Sequence, residues 1–166
     1  MKFLDKSTLS PVLLLILSIG ICLLAGVIGS VFTASGIPVW YAGLVKPAFT
    51  PPAWVFAPVW TTLYILMGIS LFLILRSGGK KEAVNLCLVL FATQLVLNVL
   101  WSVIFFGLHA IFFALVCLIL LFIVLLCMTI LTSRVSRQAS LLLIPYLVWL
   151  CIAGYLNASL FILNPV

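Results

Sequence analysis

Residues 83–133 read AVNLCLVLFATQLVLNVLWSVIFFGLHAIFFALVCLILLFIVLLCMTILTS and contain no Asp, Glu, Lys or Arg. A helix crossing the hydrocarbon core of a bilayer needs about 20 apolar residues, so this stretch of about 50 fits two crossings and a tight turn. Working outward, residues 7–45, 47–75 and 138–166 are equally free of charge, and each fits one crossing. Five spans are therefore expected, near 9–34, 51–75, 83–106, 108–132 and 137–161. Backbone polar groups in lipid must be satisfied internally, which leaves helices or closed barrels. These runs are continuously apolar and lack the alternation of a barrel strand. The expected fold class is all-α: an integral membrane bundle of five transmembrane helices, with 1–166 as a single domain.

The composition agrees. Of 166 residues, 67% are hydrophobic and 6% charged. Soluble domains run near 45–50% apolar and about 25% charged. So little charge could not cover a surface facing water, which excludes a soluble enzyme, a nucleic-acid binder and a disordered chain. The net charge of +6 comes from scarcity of acid, since eight Lys and Arg stand against Asp5 and Glu82. No basic run has the density of a nucleic-acid patch.

The few charges also orient the chain. Lys2, Lys6, Arg76, Lys80, Lys81, Arg134 and Arg137 fall on one side of a five-span arrangement, and Lys46 alone falls on the other. Positively charged loops stay cytoplasmic. This predicts a bacterial cell membrane protein with its N-terminus inside and its first loop outside. The apolar run Val12–Ile28 exceeds the roughly 7–15 residues of a signal-peptide core, so the first span is expected to be retained. It carries a stripe of small residues, Gly26, Ser30 and Thr33 beside Ala25 and Gly29. Such a stripe serves close packing within a bundle or a contact between copies.

The long connection is the loop 35–50, SGIPVWYAGLVKPAFT, which runs into Pro51 and Pro52. Its aromatics Trp40, Tyr41 and Phe49 sit among prolines that limit chain freedom. Two readings fit: a stiff amphipathic lid, or an aromatic anchor at the membrane interface.

No charged residue falls inside a span, which argues against ion-coupled transport. No carboxylate pair, Ser/His/Asp set or metal-ligand spacing is present, so no metal site and no cofactor are expected. The five cysteines form no CxxC pair and read as packed thiols. His109, the only histidine, sits at the turn between spans three and four and is a weak candidate as a haem ligand.

Polar and aromatic residues recur at helical spacing inside three spans. They are Trp60, Tyr64 and Met67/Gly68; Gln94, Asn98, Trp101, Ser102 and Phe105; and Tyr146, Trp149, Ala153 and Asn157. Amides in hydrocarbon are costly unless paired, so Gln94, Asn98 and Asn157 should face the bundle interior. They either bond neighbouring helices or line a mostly apolar pocket suited to a flat aromatic ligand.

At Trp40–Gly68 the chain reads WYAGLVKPAFTPPAWVFAPVWTTLYILMG. This resembles the signature WYxxLxKPxxxPPxxxFxPVWxxLYxxMG of the TspO/translocator protein family, also called tryptophan-rich sensory protein or peripheral-type benzodiazepine receptor. Asn98-x-x-Trp101-Ser102 with Phe105-Phe106-Gly107 is similar to the family's third-helix motif. Pro145-Tyr146-x-x-Trp149 and Leu156-Asn157 are similar to the fifth. The resemblance implies a five-helix bundle, commonly a homodimer, that binds tetrapyrroles such as protoporphyrin IX and synthetic lipophiles beneath the first loop. Matched by motif, the family's pocket residues fall on Tyr41, Pro51, Trp60, Asn98, Trp149 and Ala153. Light-dependent degradation of protoporphyrin by some members uses tryptophans that match Trp60 and Trp149. The fifth-helix sterol motif of animal members has no counterpart, since Ala158 replaces its aromatic residue and no basic residue follows. The expected role is a membrane receptor or sensor for a porphyrin ligand; passive transport of porphyrins or other lipophiles is the alternative. Lys46 is expected either to attract a porphyrin propionate above the pocket or to snorkel at the interface.

Overall fold

The computed structural model describes residues 10–165; Lys2, Asp5 and Lys6 lie outside the described residues. The described residues are all-helical, without strands, and include five segments long and apolar enough to cross a membrane. Helix α1 spans Pro11–Gly36, α2 Ala53–Arg76, α3 Lys81–Ser102 and α4 Ile111–Ser133, while the last crossing is made by α5, Arg137–Leu141, and α6, Ile144–Leu163. Ser10 caps α1 by accepting from the Leu13 N–H at 3.2 Å, and Pro11 supplies a first residue that has no amide to orphan.

Two features differ from the expected layout. The loop expected over 35–50 is helical for half its length. After α1 the chain makes a π-helical turn, Ile37–Tyr41, and stays helical to Gly43. Pro38 read as loop because proline removes an i→i−4 hydrogen bond. The widened turn accommodates it: the Ala42 N–H reaches back to the Ile37 carbonyl, five residues earlier. Only residues 44–52 are non-helical. The fifth span is also not one helix. It breaks after Leu141, and α6 restarts with Pro145 in its first turn.

The two basic turns meet at one end of the bundle: a Cβ on Gly79 would lie 3.2 Å from Val135 Cγ1. That end, called inner here, is held by hydroxyls that bond across helices. Ser70 Oγ donates to the Ala139 carbonyl and Ser140 Oγ to the Thr129 carbonyl, each at 2.9 Å. Around them packs the main core, with Met67, Ile74, Leu121, Leu125 and Met128 fully buried.

Glycines set the path of α1. A Cβ on Gly68 would lie 2.5 Å from Ile19 Cα, so α1 and α2 touch backbone to backbone in the inner half. A Cβ on Gly26 would strike the Tyr64 ring at 2.5 Å. Nearer the loop the partner changes. A Cβ on Gly29 would meet Ser102 Oγ at 3.2 Å, and one on Gly36 would meet Phe106 at 2.9 Å. So α1 leaves α2 and leans on α3, which closes through its own π turn, Val103–Gly107. The space vacated beside α2 is where the site lies.

Candidate ligand-binding site

A cavity of about 430 Å³ fills the loop-side half of the bundle between α1, α2, α3 and α6. Its floor is Tyr64 and Asn98, which join the fully buried Tyr146 behind them in one hydrogen-bonded chain. Tyr64 O–H donates to Asn98 Oδ1 at 2.5 Å, and Asn98 Nδ2 donates to the Tyr146 hydroxyl at 2.6 Å. The amide that hydrocarbon would penalise is thereby paired at both ends.

The walls are aromatic. Trp60 stacks on Tyr64 at 5.6 Å and meets Trp149 edge-on at 6.5 Å, while Phe56 closes on Trp149 from the other side at 5.7 Å. Opposite them Trp101 stacks on Phe105 at 5.1 Å. The Trp101 ring is fixed by donating Nε1–H to Asn157 Oδ1 at 3.1 Å, and Asn157 in turn donates to the Ile111 carbonyl at 3.0 Å. Tyr41 and Ile37, from the π turn after α1, form the roof. Half-burial raises the Tyr41 phenol above its ordinary pKa, so it stays neutral. The lining is apolar rings with amides and hydroxyls at fixed points, the makeup of a site for a flat lipophilic molecule.

Of the residues singled out from the sequence, the cavity brings together Tyr41, Trp60, Tyr64, Asn98, Trp101, Trp149 and Ala153. Three stand apart. Pro51 precedes α2 and is not part of the lining. Gln94 lies one turn below Asn98, fully buried, with Nε2 donating to Met67 Sδ at 3.6 Å and Oε1 without a partner among the described residues. Lys46 points away. Its Nζ donates to the Ala42 and Leu44 carbonyls at 3.1 and 3.4 Å and sits 5.0 Å from the Tyr41 ring centre. It borders a shallow crevice with Pro47 and Ser159 instead. His109 is exposed, in the left-handed region at φ 56°, and stacks on Trp40 at 4.4 Å outside the cavity.

Against this geometry the comparisons with known proteins are decisive. The model of the TspO/MBR family matches residues 18–163. The chain belongs to the TspO/MBR family. It is 47% identical over 154 residues to the tryptophan-rich protein TspO of Chlorobaculum tepidum, covering 93% of this chain and 98% of that one. It is 44% identical over 119 residues to the translocator protein of Homo sapiens, covering 71% and 70%. To the tryptophan-rich sensory protein of Cereibacter sphaeroides it is 33% identical over 125 residues, covering 75% and 77%. The family match runs through every wall of the cavity, from Leu23 to Leu160.

Some functional residues escaped the sequence reading. Asn164 clamps the loop: its Oδ1 accepts from the Val45 N–H at 2.9 Å and its Nδ2 donates to the Val45 carbonyl at 3.0 Å. An Asn just past a helix end is the signal that marked it. Phe56 and Leu156 line the cavity; both stand in the quoted motifs but were not singled out as binding residues.

Proposed function

We propose that this protein is a membrane receptor for protoporphyrin IX and similar flat lipophilic molecules, held in the cavity beneath the first loop. The observation that supports this best is the pair of facing aromatic walls above the Tyr64–Asn98 floor. Ring stacking adds roughly 0.5–1.5 kcal/mol per pair beyond the area buried. The porphyrin is a ligand, not a resident cofactor. The geometry around Lys46 favours ring contacts over a propionate pair, because its ammonium already serves the loop carbonyls. The homodimer, and the bacterial cell membrane with the loop outside, belong to the same proposal. Arg76, Lys80, Lys81, Arg134 and Arg137 gather at the inner end and support that orientation.

The test is a titration of purified protein with protoporphyrin IX in the dark, following tryptophan fluorescence. Trp60→Phe and Trp149→Phe should each weaken binding several-fold, while Lys46→Ala leaves it within twofold. Unchanged affinity in both tryptophan variants would remove the pocket assignment.

A second reading, light-dependent degradation of the bound porphyrin, is favoured by one observation. Trp60 and Trp149 stand 6.5 Å apart in the same wall, where both would touch the ring. Illuminating the complex and comparing porphyrin loss with that in detergent alone decides it.

A further inference from the structure

The walls of the cavity are not equally covered. On α3 and α6 its lining is buried, as at Asn98, Phe105, Trp149 and Asn157. On α1 and α2 Gly29 and Tyr64 are buried at the bottom, but one row of the lining on each helix is exposed, at Ser30 and Ala34 and at Ala57 and Thr61. A sealed cavity would show similar exposure on every side. The asymmetry marks an opening between α1 and α2 in the loop-side half, where α1 has left α2 for α3.

The rim of this opening suits hydrocarbon. Gly26, Ser30 and Ala34 on one edge and Ala53, Ala57 and Thr61 on the other recur at a spacing of four, and all are small. Both rim hydroxyls are satisfied on their own helices: Ser30 Oγ donates to the Val27 carbonyl at 2.7 Å and Thr61 Oγ1 to the Ala57 carbonyl at 2.8 Å. The edges therefore turn no unmet polar group toward lipid. The loop end, by contrast, is tied down by the Asn164 clamp on Val45, the Lys46 bonds and the bond from Thr50 Oγ1 to the Pro47 carbonyl at 2.8 Å.

We propose that the slot between α1 and α2 is a doorway to the bilayer, and that a phospholipid acyl chain enters it and occupies the cavity until a ligand displaces it. An acyl chain is apolar, narrow enough for a gap between two helices, and present at the slot in every membrane. Only the displacement step rests on the receptor reading above.

The experiment uses the full chain in phosphatidylcholine vesicles doped with a phosphatidylcholine that carries a mid-chain diazirine. After irradiation, adducts are located by peptide mass spectrometry. Adducts are expected on the cavity wall, at Trp60, Tyr64 and Phe105, as well as on the outer surface at Trp54. Ala57→Phe combined with Thr61→Phe narrows one edge and should cut wall adducts about tenfold, with outer adducts unchanged. Ser30→Leu on the opposite edge, checked for an unaltered melting temperature, should act in the same direction. Asn164→Ala should change neither set. Adducts confined to the outer surface, wall adducts indifferent to both rim variants, or wall adducts raised by Asn164→Ala would each overturn the doorway. Protoporphyrin IX added before irradiation should suppress wall adducts. If it does not, the receptor reading fails while the rim variants still decide the doorway.

Discussion

Asn98 is the position where stability and site architecture meet, and Asn98→Ala is the perturbation with the clearest arithmetic. The side chain is 3% exposed and bonds two phenols at once. Alanine removes the acceptor of Tyr64 and the donor to Tyr146. Hydrogen bonds between transmembrane helices average about 0.6 kcal/mol, so two lost bonds account for about 1 kcal/mol. The Tyr64 hydroxyl is also left buried without its partner, and such an orphan costs about 1–3 kcal/mol. The expected loss is therefore about 2–4 kcal/mol. Replacing all three members by apolar residues of similar shape, Asn98→Leu with Tyr64→Phe and Tyr146→Phe, leaves no orphan and should cost less than the single change. The assay is equilibrium unfolding in mixed detergent micelles, read by tryptophan fluorescence. Trp60 stacks on Tyr64, so its emission also reports movement of the floor. An Asn98→Ala loss under about 0.5 kcal/mol, or a triple variant less stable than the single one, would refute the reasoning.

Other perturbations carry equally direct expectations. Gly68→Leu should destabilise the protein by more than the roughly 1–3 kcal/mol of ordinary overpacking, since even a Cβ there lies 2.5 Å from Ile19 Cα; unfolding in the same micelles checks it. Asn164→Ala removes both bonds to Val45 and should speed amide hydrogen exchange at the loop, with Val45 itself most affected and α3 unchanged. The Tyr41 phenol has its pKa raised by burial, so folded and unfolded chains bind the same proton below about pH 10. Above that, the unfolded chain ionises first and stability falls as pH rises. Melting temperatures of Tyr41→Phe should accordingly drop less steeply than those of the parent between pH 9 and 11.

The sequence made the spans legible because lipid tolerates almost no charge, so the ten charged residues fall at or beyond the ends of the apolar runs. The aromatic face of α2 was equally plain, since a helix repeats its facing positions every three or four residues. What resisted reading was depth and local backbone. Gln94 shares a face with Asn98, but periodicity does not say where a cavity stops, and it stops between them. Pro38 marks a loop in most contexts; here a π turn absorbs it and carries Tyr41 over the site. Lys46 was expected above the cavity, but its ammonium bonds the carbonyls left open where the extension of α1 ends. Where a long side chain finds its acceptors is a matter of a few ångströms, which residue spacing does not encode.

The cavity itself poses an energetic question. On the scale measured in water-soluble cores, about 24 cal/mol for each Å³ of void, an empty space of about 430 Å³ would cost about 10 kcal/mol. That equals the whole stability of a typical domain. A sealed void of this size would not survive, but one that opens on hydrocarbon is filled from the bilayer and escapes most of that cost. The same opening changes how a ligand binds. A lipophile that partitions into the bilayer has already left water before it reaches the site, so burial of its apolar area adds little there. Affinity must come from ring stacking with Trp60, Trp101 and Trp149 and from hydrogen bonds to the floor. Two consequences follow for any ligand that partitions into the bilayer. Apparent affinity for protoporphyrin IX should fall in proportion as vesicle lipid is added at fixed protein, because the ligand is diluted in the bilayer. Extending the ligand with alkyl groups should leave affinity on the lipid-concentration scale almost unchanged, whereas changing Trp149 should not. Affinity that is independent of lipid amount would show that the ligand does not partition into the bilayer, so that burial of its apolar area from water would contribute to binding after all.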